Sequence, residues 1–478
     1  MTDIKTYIQN QLNRAPLLLK PLVQDEQGKP YIQRKIILRM REYIKNFNGN
    51  FRESRLIIIP GLRGVGKTTL LAQLYFELTA ARKEVLYLSV DEIVNLIGSN
   101  LYTALKEYER VLGTSFEGLD RDVFLLIDEV HFDKQWQAVL KSVFDKSRRV
   151  FVICTGSSAL SLQSTPDLAR RSQLEKMYPM NFTESLLMKS NINPDEPENN
   201  PVSGLDEEVA AALFEAVDGA DCYRKLAALQ SRVNEYWKRI DPLEIDAFIK
   251  RGTLPFALRI KDESAVYQRT MDVLDKVISA DITDTTRLTP ETVSKIRGAL
   301  LILASNDETV ATNMARSLEM RASTLLSVLE ALERAEIVLR IFPFGSTERK
   351  IRKPSKYCFG SPLLRLALLS VVDGSAAFEK NKGRLLEDLV AATLYRRFGG
   401  SFLAPLQYDA QKGGADFVVS LKNRIIVEVG WGEKGNRQVF QSLTKVRADY
   451  GLTISDTDVA IDETGKMIKV PLNYFLLI

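Results

Sequence analysis

The stretch "GLRGVGKTT", residues 61–69, decides how this chain of 478 residues folds. It follows the apolar run "RLIIIP" (55–60) and opens a helix that we predict from about residue 67 to 82. The pattern G-x-x-x-x-G-K-[ST] between a strand and a helix is typical of a phosphate-binding loop, because glycines let backbone N–H groups approach phosphate oxygens. The residues predicted to bind the nucleotide are Gly61, Gly64, Val65, Gly66, Lys67, Thr68 and Thr69.

ATP hydrolysis needs residues from the phosphate loop and from a second, acidic motif. Lys67 is expected to reach the β- and γ-phosphates of ATP, and Thr68 to hold Mg²⁺. In "LLIDEVH" (125–131), Asp128 is predicted to join the magnesium shell and Glu129 to activate the attacking water. This acidic pair is typical of hydrolysing ATPases. The alternatives are a glycine-rich turn without a ligand and an Asp-Glu pair that caps a helix.

Three further apolar runs predict the remaining strands of a parallel sheet. They are "EVLYLSV" (84–90), "DVFLLIDEV" (122–130) and "RRVFVICTG" (148–156). Near-continuous Val, Ile, Leu and Phe runs alternating with helices are typical of strands covered on both faces of an α/β fold. After the last run, Thr155, Ser157 and Ser158 are candidates to sense the γ-phosphate or, equally, to cap the next helix.

Composition narrows the class of protein. The formal net charge is +4, with 45% hydrophobic and 26% charged residues, as in ordinary globular proteins. Three separated cysteines and one histidine, His131, argue against a disulfide framework, a zinc ribbon or His-dependent hydrolysis. We expect a cytoplasmic protein without a membrane span, and hydrolysis that relies on carboxylates, lysine or magnesium.

The chain resembles archaeal and bacterial AAA-type P-loop ATPases whose C-terminal region is an uncharacterised PD-(D/E)xK nuclease-like domain. The resemblance rests on "GLRGVGKTTLL", "LYLSVDEI", "LLIDEVHFDKQWQAVLKSVFD", "TGSSALSL", "RRSQLEKMYPMNFTESLL", "FIKRGTLPFAL" and "GRLLEDLVAATL". It implies a P-loop NTPase sheet with a helical lid, then a winged-helix-like domain and a nuclease-like α/β domain. The expected boundaries are 1–190 for the ATPase core with a helical extension, 191–285 for the lid, 286–372 and 373–478.

The resemblance also implies an arginine for the ATP site. Arg171 lies ahead of "YPMNF", where the family places an arginine that contacts a γ-phosphate in the same or a neighbouring subunit. Contact with a neighbouring subunit would imply a homo-oligomer. Arg170 is a substitute, and a solvated basic pair is the alternative.

The third expected domain has features of a DNA-binding module. Leu325, Val328, Leu329, Leu332 and Ile337 recur at helical spacing and predict its core. Residues predicted to contact double-stranded DNA are Arg321 on a groove-reading helix and Arg349, Lys350, Arg352, Lys353 and Lys356 on a basic hairpin. The alternative is a winged helix that contacts protein.

The last expected domain carries three acids that fit a nuclease-like metal site. Glu387 lies in a predicted helix, Asp416 begins a strand, and Glu428 ends the strand "RIIVEV". The lysine expected two residues later is Gly430, so Lys434 or Lys412 would have to replace it. The domain is therefore either a weak nuclease or a retained fold used for binding.

These patterns favour an ATP-dependent switch or machine that acts on DNA. The alternative is a signalling ATPase whose C-terminal half recognises protein.

Overall fold

The structure is a computed structural model that describes residues 3–49, 53–156, 166–193, 204–282, 289–306, 311–399, 403–411, 413–430, 436–455 and 458–478. The chain divides into two compact units. The first comprises residues 1–178 and 187–196, and the second comprises residues 179–186 and 197–478. Among the described residues, no helix has both the length and the apolar character that a membrane span needs.

The first unit is a five-stranded sheet with helices on its faces. Its strands are β1 (Leu56–Pro60), β2 (Glu84–Ser89), β3 (Val123–Asp128), β4 (Val150–Gly156) and β5 (Gln173–Leu174). Its helices are α1 (Ile4–Val23), α2 (Ile36–Asn48), α3 (Lys67–Ala80), α4 (Leu101–Leu112) and α5 (Trp136–Lys146), with short turns at Glu92–Leu96, Phe116–Gly118, Val130–Phe132 and Pro166–Ala169.

All strand pairs of this sheet are parallel, in the order β2-β3-β4-β1-β5. Every residue of β1, β3 and β4 is buried, as the continuous apolar runs predict. The prediction of a parallel P-loop α/β sheet is therefore confirmed. Strand β4 lies between β1 and β3, so one strand separates the strand that ends in Asp128 from the strand that leads into the phosphate loop.

The second unit is built on a mixed sheet of eight strands. These are β6 (Val338–Pro343), β7 (Lys356–Phe359), β8 (Leu406–Tyr408), β9 (Phe417–Ser420), β10 (Arg424–Val429), β11 (Tyr450–Ser455), β12 (Ala460–Ile461) and β13 (Met467–Pro471). The order is β12-β13-β11-β10-β9-β8-β6-β7. The larger helices are Leu205–Phe214, Gly219–Trp237, Glu263–Lys276, Pro290–Ser305, Ala322–Arg334, Pro362–Asp373, Ala377–Phe398 and Asn436–Val446. Shorter helical segments are Leu243–Ala247, Phe248–Gly252, Pro255–Leu258, Val277–Ile282, Ala311–Ser317, Thr347–Arg352, Gly374–Ala376 and Leu472–Phe475, and the helix Phe182–Ser190 is shared between the units by sequence.

Hydrogen bonds join three of the four expected domains within this second unit. Strand β6 pairs in parallel with β8 at Phe342↔Gln407, so strands from both sides of the expected 372/373 boundary share one sheet. The helices expected to form a lid are held there too, since the Tyr450 hydroxyl donates to the Leu213 carbonyl over 2.8 Å. The structure has two compact units, and the finer division into four domains stays a prediction.

Local predictions in this region are confirmed. The residues predicted as the core of the three-helix segment are all buried: Leu325, Val328, Leu329, Leu332 and Ile337. The helix Pro290–Ser305 begins at this point because the Thr289 hydroxyl accepts the Thr292 N–H and Pro290 occupies the first turn. The pattern of buried side chains was therefore readable, although the long-range pairing of the strands was not.

A buried ion pair joins the helices of the second unit to its sheet. The Arg365 guanidinium donates to both carboxylate oxygens of Asp388, over 2.6 and 2.9 Å, and Asp388 also accepts the Phe359 N–H of β7 over 2.8 Å. Arg365 further donates to the carbonyls of Leu303 and Ala304 at the end of the helix Pro290–Ser305. Three helices and one strand therefore depend on this pair.

Asp388→Ala should lower the free energy of unfolding by about 3–5 kcal/mol, because it leaves a buried guanidinium without its counter-ion. Thermal and urea unfolding monitored by circular dichroism measure the change. Glu348→Ala removes the exposed Glu348–Arg352 pair of the same unit and should change unfolding little. Equal stability of the two variants would contradict the assignment.

Candidate functional site

The predicted phosphate loop has the geometry that phosphate binding requires. Gly64 and Gly66 have φ of +91° and +99°, which residues with a Cβ rarely adopt. A Cβ at Gly61 would lie 2.3 Å from the Met177 carbonyl oxygen, so only glycine fits there. Close packing therefore favours glycine at Gly61, and the left-handed backbone favours glycine at Gly64 and Gly66.

Lys67 begins α3 and is almost fully buried. Its Nζ donates to the carbonyls of Gly61 and Leu62, over 2.7 and 3.2 Å. These carbonyls belong to the loop itself, so the ammonium lies inside the ring of backbone that the motif forms. Thr68 and Thr69 follow it in the first helical turn and are half-buried.

Asp128, the last residue of β3, is the buried acid of the site. Its carboxylate accepts hydrogen bonds from the Thr155 hydroxyl and, over 3.3 Å, from the Tyr87 hydroxyl. Burial raises its pKa, and the charge of Glu129 adds to this, while hydrogen bonds from Thr155 and Thr68 and the charge of Lys67 oppose the shift. The two predicted magnesium ligands, Thr68 and Asp128, are therefore close enough for the Thr68 hydroxyl to lower the pKa of the Asp128 carboxyl.

Glu129 has a left-handed backbone, with φ +54°. Its N–H donates to the Thr155 hydroxyl over 3.3 Å, and its carboxylate lies 3.3 Å from Nδ1 of His131. A non-glycine residue in this conformation stores about 1–3 kcal/mol of strain, which is common at active sites. Here the turn separates the two acids, so that Asp128 is buried while Glu129 stays partly exposed.

Thr155 connects the end of β4 to the acidic pair at the end of β3. It lies one residue before the end of β4, the strand between β1 and β3, and its hydroxyl donates to the Asp128 carboxylate and accepts the Glu129 N–H. The structure thus gives it a role in placing the acidic pair. Its predicted role in sensing a γ-phosphate stays a prediction, and Ser157 and Ser158 lie outside the described residues.

Of the two arginines expected at this site, Arg171 forms a local ion pair. Arg171 donates to Asp145 over 2.7 and 3.2 Å and to the Asp167 carbonyl over 2.8 Å. Asp145 belongs to α5, and Arg170 is exposed. Contact of either arginine with a γ-phosphate stays a prediction.

Sequence patterns gave no sign of Arg34, which precedes α2. Its guanidinium is 8% exposed and donates to the Val65 carbonyl of the phosphate loop over 2.8 Å and to the Tyr178 carbonyl over 2.9 Å. A lone arginine in "YIQRKI" has no motif spacing that would have singled it out. Only the buried contact identifies it.

The three acids predicted in the C-terminal region lie in one cluster, and two of them pair with a lysine. Lys356 Nζ, on β7, lies 2.5 Å from the Glu387 carboxylate and 3.2 Å from that of Asp416. The Glu428 carboxylate accepts the Asp416 N–H over 3.3 Å, and Asp416 accepts the Val429 N–H over 2.9 Å. We call these four side chains the acid–lysine cluster.

The cluster includes one lysine that the sequence predicts on a phosphate-contacting hairpin. The Lys356 side chain is 17% exposed and is held by two carboxylates, and its contact with DNA stays a prediction. Burial opposes its charge, yet Asp416 and Glu387 raise the pKa of Lys356. Burial likewise raises the pKa of Glu387, against the opposing effect of Lys356.

Metal binding by Glu387, Asp416 and Glu428 stays a prediction. Within the part of the chain that the structure describes, no group of three or more His, Cys, Asp or Glu side chains is arranged to hold a metal ion. Lys412 and Lys434, the expected replacements for the lysine, lie outside the described residues. The positive charge comes instead from Lys356, which precedes all three acids in sequence.

The other predicted DNA contacts lie at the surface. A short helix, Thr347–Arg352, connects β6 and β7, with Arg349 and Lys350 half-buried and Arg352 and Lys353 exposed. Arg352 pairs with Glu348 over 2.8 Å. Arg321 is exposed at the N-cap of the helix Ala322–Arg334. Contact of these basic side chains with DNA stays a prediction.

Comparison with known proteins places the chain in a family. An AAA domain family matches residues 53–186, which span the phosphate loop and the acidic pair. A domain of unknown function (DUF8612) matches residues 243–374. The chain is 32% identical to the uncharacterized protein MJ1637 of Methanocaldococcus jannaschii, over 100% of this chain and 95% of the relative. The chain belongs to this family of AAA-domain proteins.

More distant similarities are found with a second uncharacterized protein and with solved structures. The AAA protein is 22% identical to the uncharacterized protein MJ1544 of the same organism, over 79% of this chain and 74% of that one. The match to a Thermotoga maritima RuvB Holliday junction branch migration motor covers 67% of this chain and 93% of the RuvB chain, at 17% identity and a TM-score of 0.30. The match to AMPPCP-bound DnaA from Aquifex aeolicus covers 66% of this chain and 92% of the DnaA chain, at 16% identity and a TM-score of 0.26. These two structural likenesses are too low to carry an argument.

The prediction of an AAA-type P-loop ATPase is confirmed at this level. The nuclease-like and winged-helix assignments stay predictions.

Proposed function

We propose that this AAA protein hydrolyses ATP at the site of Lys67, Thr68, Asp128 and Glu129, and that it acts on double-stranded DNA. The observation that carries the ATPase proposal is the contact between motifs that are far apart in sequence. Thr155 of β4 joins Asp128 to Glu129 through its hydroxyl, and Thr68 of the phosphate loop lies near enough to Asp128 to lower its pKa. A chance glycine-rich turn would not assemble a hydroxyl, a buried carboxylate and a second, more exposed acid at one edge of the sheet.

The residues present fit Mg²⁺ and ATP. Thr68 and Asp128 offer the oxygen ligands that Mg²⁺ prefers, and Gly61, Gly64 and Gly66 leave the loop backbone uncovered. When held by Thr68 and Asp128, Mg²⁺ would supply positive charge that stabilises the negative charge developing during phosphoryl transfer.

The chain's own residues then have separate tasks. Lys67 would exchange its loop carbonyls for phosphate oxygens, since its ammonium turns freely on a flexible stem. Thr155 and Tyr87 hold the Asp128 carboxylate in place. Glu129, turned out of the strand, would accept the proton of the attacking water.

Lys67→Ala should abolish ATP binding, because the positive charge facing the phosphates is lost. Glu129→Gln should keep binding and stop turnover, because the amide cannot accept the proton. Fluorescent-nucleotide titration and phosphate release measure the two effects. The exposed substitutions Lys29→Ala and Glu26→Gln serve as controls. Normal turnover by Glu129→Gln would show that another residue positions the water.

The DNA proposal rests on exposed positive charge near a three-helix segment. Arg321 is exposed at the N-cap position of the helix Ala322–Arg334, and Arg352 and Lys353 are exposed in the β6–β7 connection. Basic side chains of this kind release counterions from DNA when they contact phosphates, which makes binding depend on salt. The alternative, a signalling ATPase whose second unit binds protein, predicts no response to DNA.

Changing Lys350, Arg352 and Lys353 together to Gln should weaken binding to DNA of any sequence. It should also reduce the slope of log K against log salt by up to about three, one unit for each lost phosphate contact. Fluorescence anisotropy at several salt concentrations measures both quantities. The triple variant Lys5, Arg14 and Lys20 to Gln removes the same charge from exposed positions on α1. An ATPase that ignores double-stranded DNA, together with unchanged binding by the first variant, would favour the protein-binding alternative.

For the second unit we propose a binding role without DNA cleavage. Carboxylates are suitable magnesium ligands, but the ammonium of Lys356 lies between two of the three acids. The residues therefore do not fit a metal ion in this arrangement, and the acid–lysine cluster acts as an ion pair between β7, the helix Ala377–Phe398 and β9. This retained network supports the view of a degenerate nuclease-like module.

Wild-type protein should not cut plasmid or branched DNA in the presence of Mn²⁺. Lys356→Ala should bind Mn²⁺ more tightly than wild type, because removing the ammonium leaves the carboxylates without a cation. Gel assays and isothermal titration measure these outcomes, with Lys422→Ala, an exposed lysine of the same unit, as the control. Cutting by wild type that both Asp416→Ala and Lys356→Ala abolish would instead make this a nuclease with Lys356 as its lysine.

A further inference from the structure

The phosphate loop is attached to the segment through which the chain leaves the first unit. We call residues 173–178 the exit segment; it contains β5, and the second unit begins at Pro179. The Glu175 N–H donates to the Ile58 carbonyl over 2.9 Å, and the Met177 N–H donates to the Pro60 carbonyl over 2.8 Å. The segment therefore continues the parallel ladder beside β1 up to the first residue of the loop.

Close packing makes this attachment stiff. The Met177 carbonyl lies so near Gly61 that a Cβ there would be 2.3 Å from its oxygen. Displacement of the loop at Gly61 would therefore either separate it from Met177 or carry the exit segment with it. Interiors packed at this density transmit small displacements instead of absorbing them.

Arg34 completes the link with two hydrogen bonds. One of its terminal nitrogens donates to the Val65 carbonyl in the middle of the loop, and the other donates to the Tyr178 carbonyl at the end of the exit segment. The guanidinium is planar, so its two donors hold both carbonyls in a fixed relation. Arg34 is buried, so the bond to Val65 is shielded from competing water, and the bond to Tyr178 is partly shielded.

The helix that follows Arg34 holds the exit segment at a second point. Arg39 lies 2.8 Å from the Glu175 carboxylate, and the Tyr43 hydroxyl donates to the same carboxylate over 2.6 Å. Both residues belong to α2. The start of α2 is thus fixed to the loop while its body is fixed to Glu175.

We propose that Arg34 is a positioning residue that couples nucleotide binding at the phosphate loop to the stability of the exit segment. The proposal rests on the ATP site proposed above and adds its regulation. A nucleotide that fixes the loop also fixes the Val65 carbonyl, and through Arg34 the Tyr178 carbonyl. Because linkage is reciprocal, loosening the exit segment must weaken nucleotide binding by the same factor.

Amide hydrogen exchange of the wild-type chain tests the coupling directly. Adding Mg²⁺ and the slowly hydrolysed analogue ATPγS should slow exchange at the Glu175 and Met177 amides about tenfold, within the range typical of coupling between sites. In Arg34→Lys, whose single ammonium cannot span both carbonyls, this slowing should disappear and ATPγS affinity should fall about tenfold. Arg34→Ala should behave in the same way.

Matched variants separate coupling from a general loss of structure. Arg14→Ala removes an exposed arginine of α1 and should keep both the affinity and the slowed exchange. Glu175→Gln weakens the exit segment on the side away from the loop, and reciprocity requires it to lower ATPγS affinity. Should Arg34→Ala not fold, the wild-type exchange and Arg34→Lys still decide the question.

The possible results distinguish this inference from the proposed function. Tight ATPγS binding by wild type without slower exchange at Glu175 and Met177 would overturn the coupling and leave the ATP site intact. Slowed exchange that persists in Arg34→Lys would show that the loop acts through Gly61 and Met177 alone, and would overturn the role of Arg34. Absence of ATPγS binding in wild type would overturn both proposals.

Discussion

Charges buried away from water constrain where the elements of both units can lie, because an unpaired ion in a protein interior costs several kcal/mol. In the first unit, Lys67 is surrounded by loop carbonyls and Asp128 by hydroxyls. In the second, Arg365 pairs with Asp388. Each charge fixes the separation of two or more elements, so the folded arrangement can change only where a charge can find another partner.

The parts of the fold that the sequence could predict are those that leave a local pattern of residues. Buried strands and amphipathic helices leave local patterns of apolar residues, so β1 to β4 and the core of the helix Ala322–Arg334 were predicted correctly. The phosphate motif is local too. The order of strands is not local, and neither the insertion of β4 between β1 and β3 nor the pairing of β6 with β8 leaves a trace in the flanking sequence.

The candidate sites divide in the same way. Gly61, Lys67, Asp128 and Glu129 follow from motif spacing, whereas the hydroxyl of Thr155 gains its role only because its strand ends between two others. Lys356 shows the limit most clearly. Reading forward from Glu428 led to Lys434, because motifs run along the chain, but the ammonium beside the acids comes from β7 at the edge of the sheet. A site assembled from several strands can take its lysine from any of them.

Two cations bind carbonyls of the phosphate loop, and their chemistry suits different tasks. Lys67 bonds Gly61 and Leu62 through one ammonium, which can exchange these partners for others without moving its backbone. Arg34 bonds Val65 and Tyr178 through two nitrogens of one rigid plane, so it cannot reach a new partner without releasing both segments. The loop therefore combines a cation that can change partners with one that cannot. If both were lysines, the loop and the exit segment would each satisfy their carbonyls separately, and movement of one would leave the other in place.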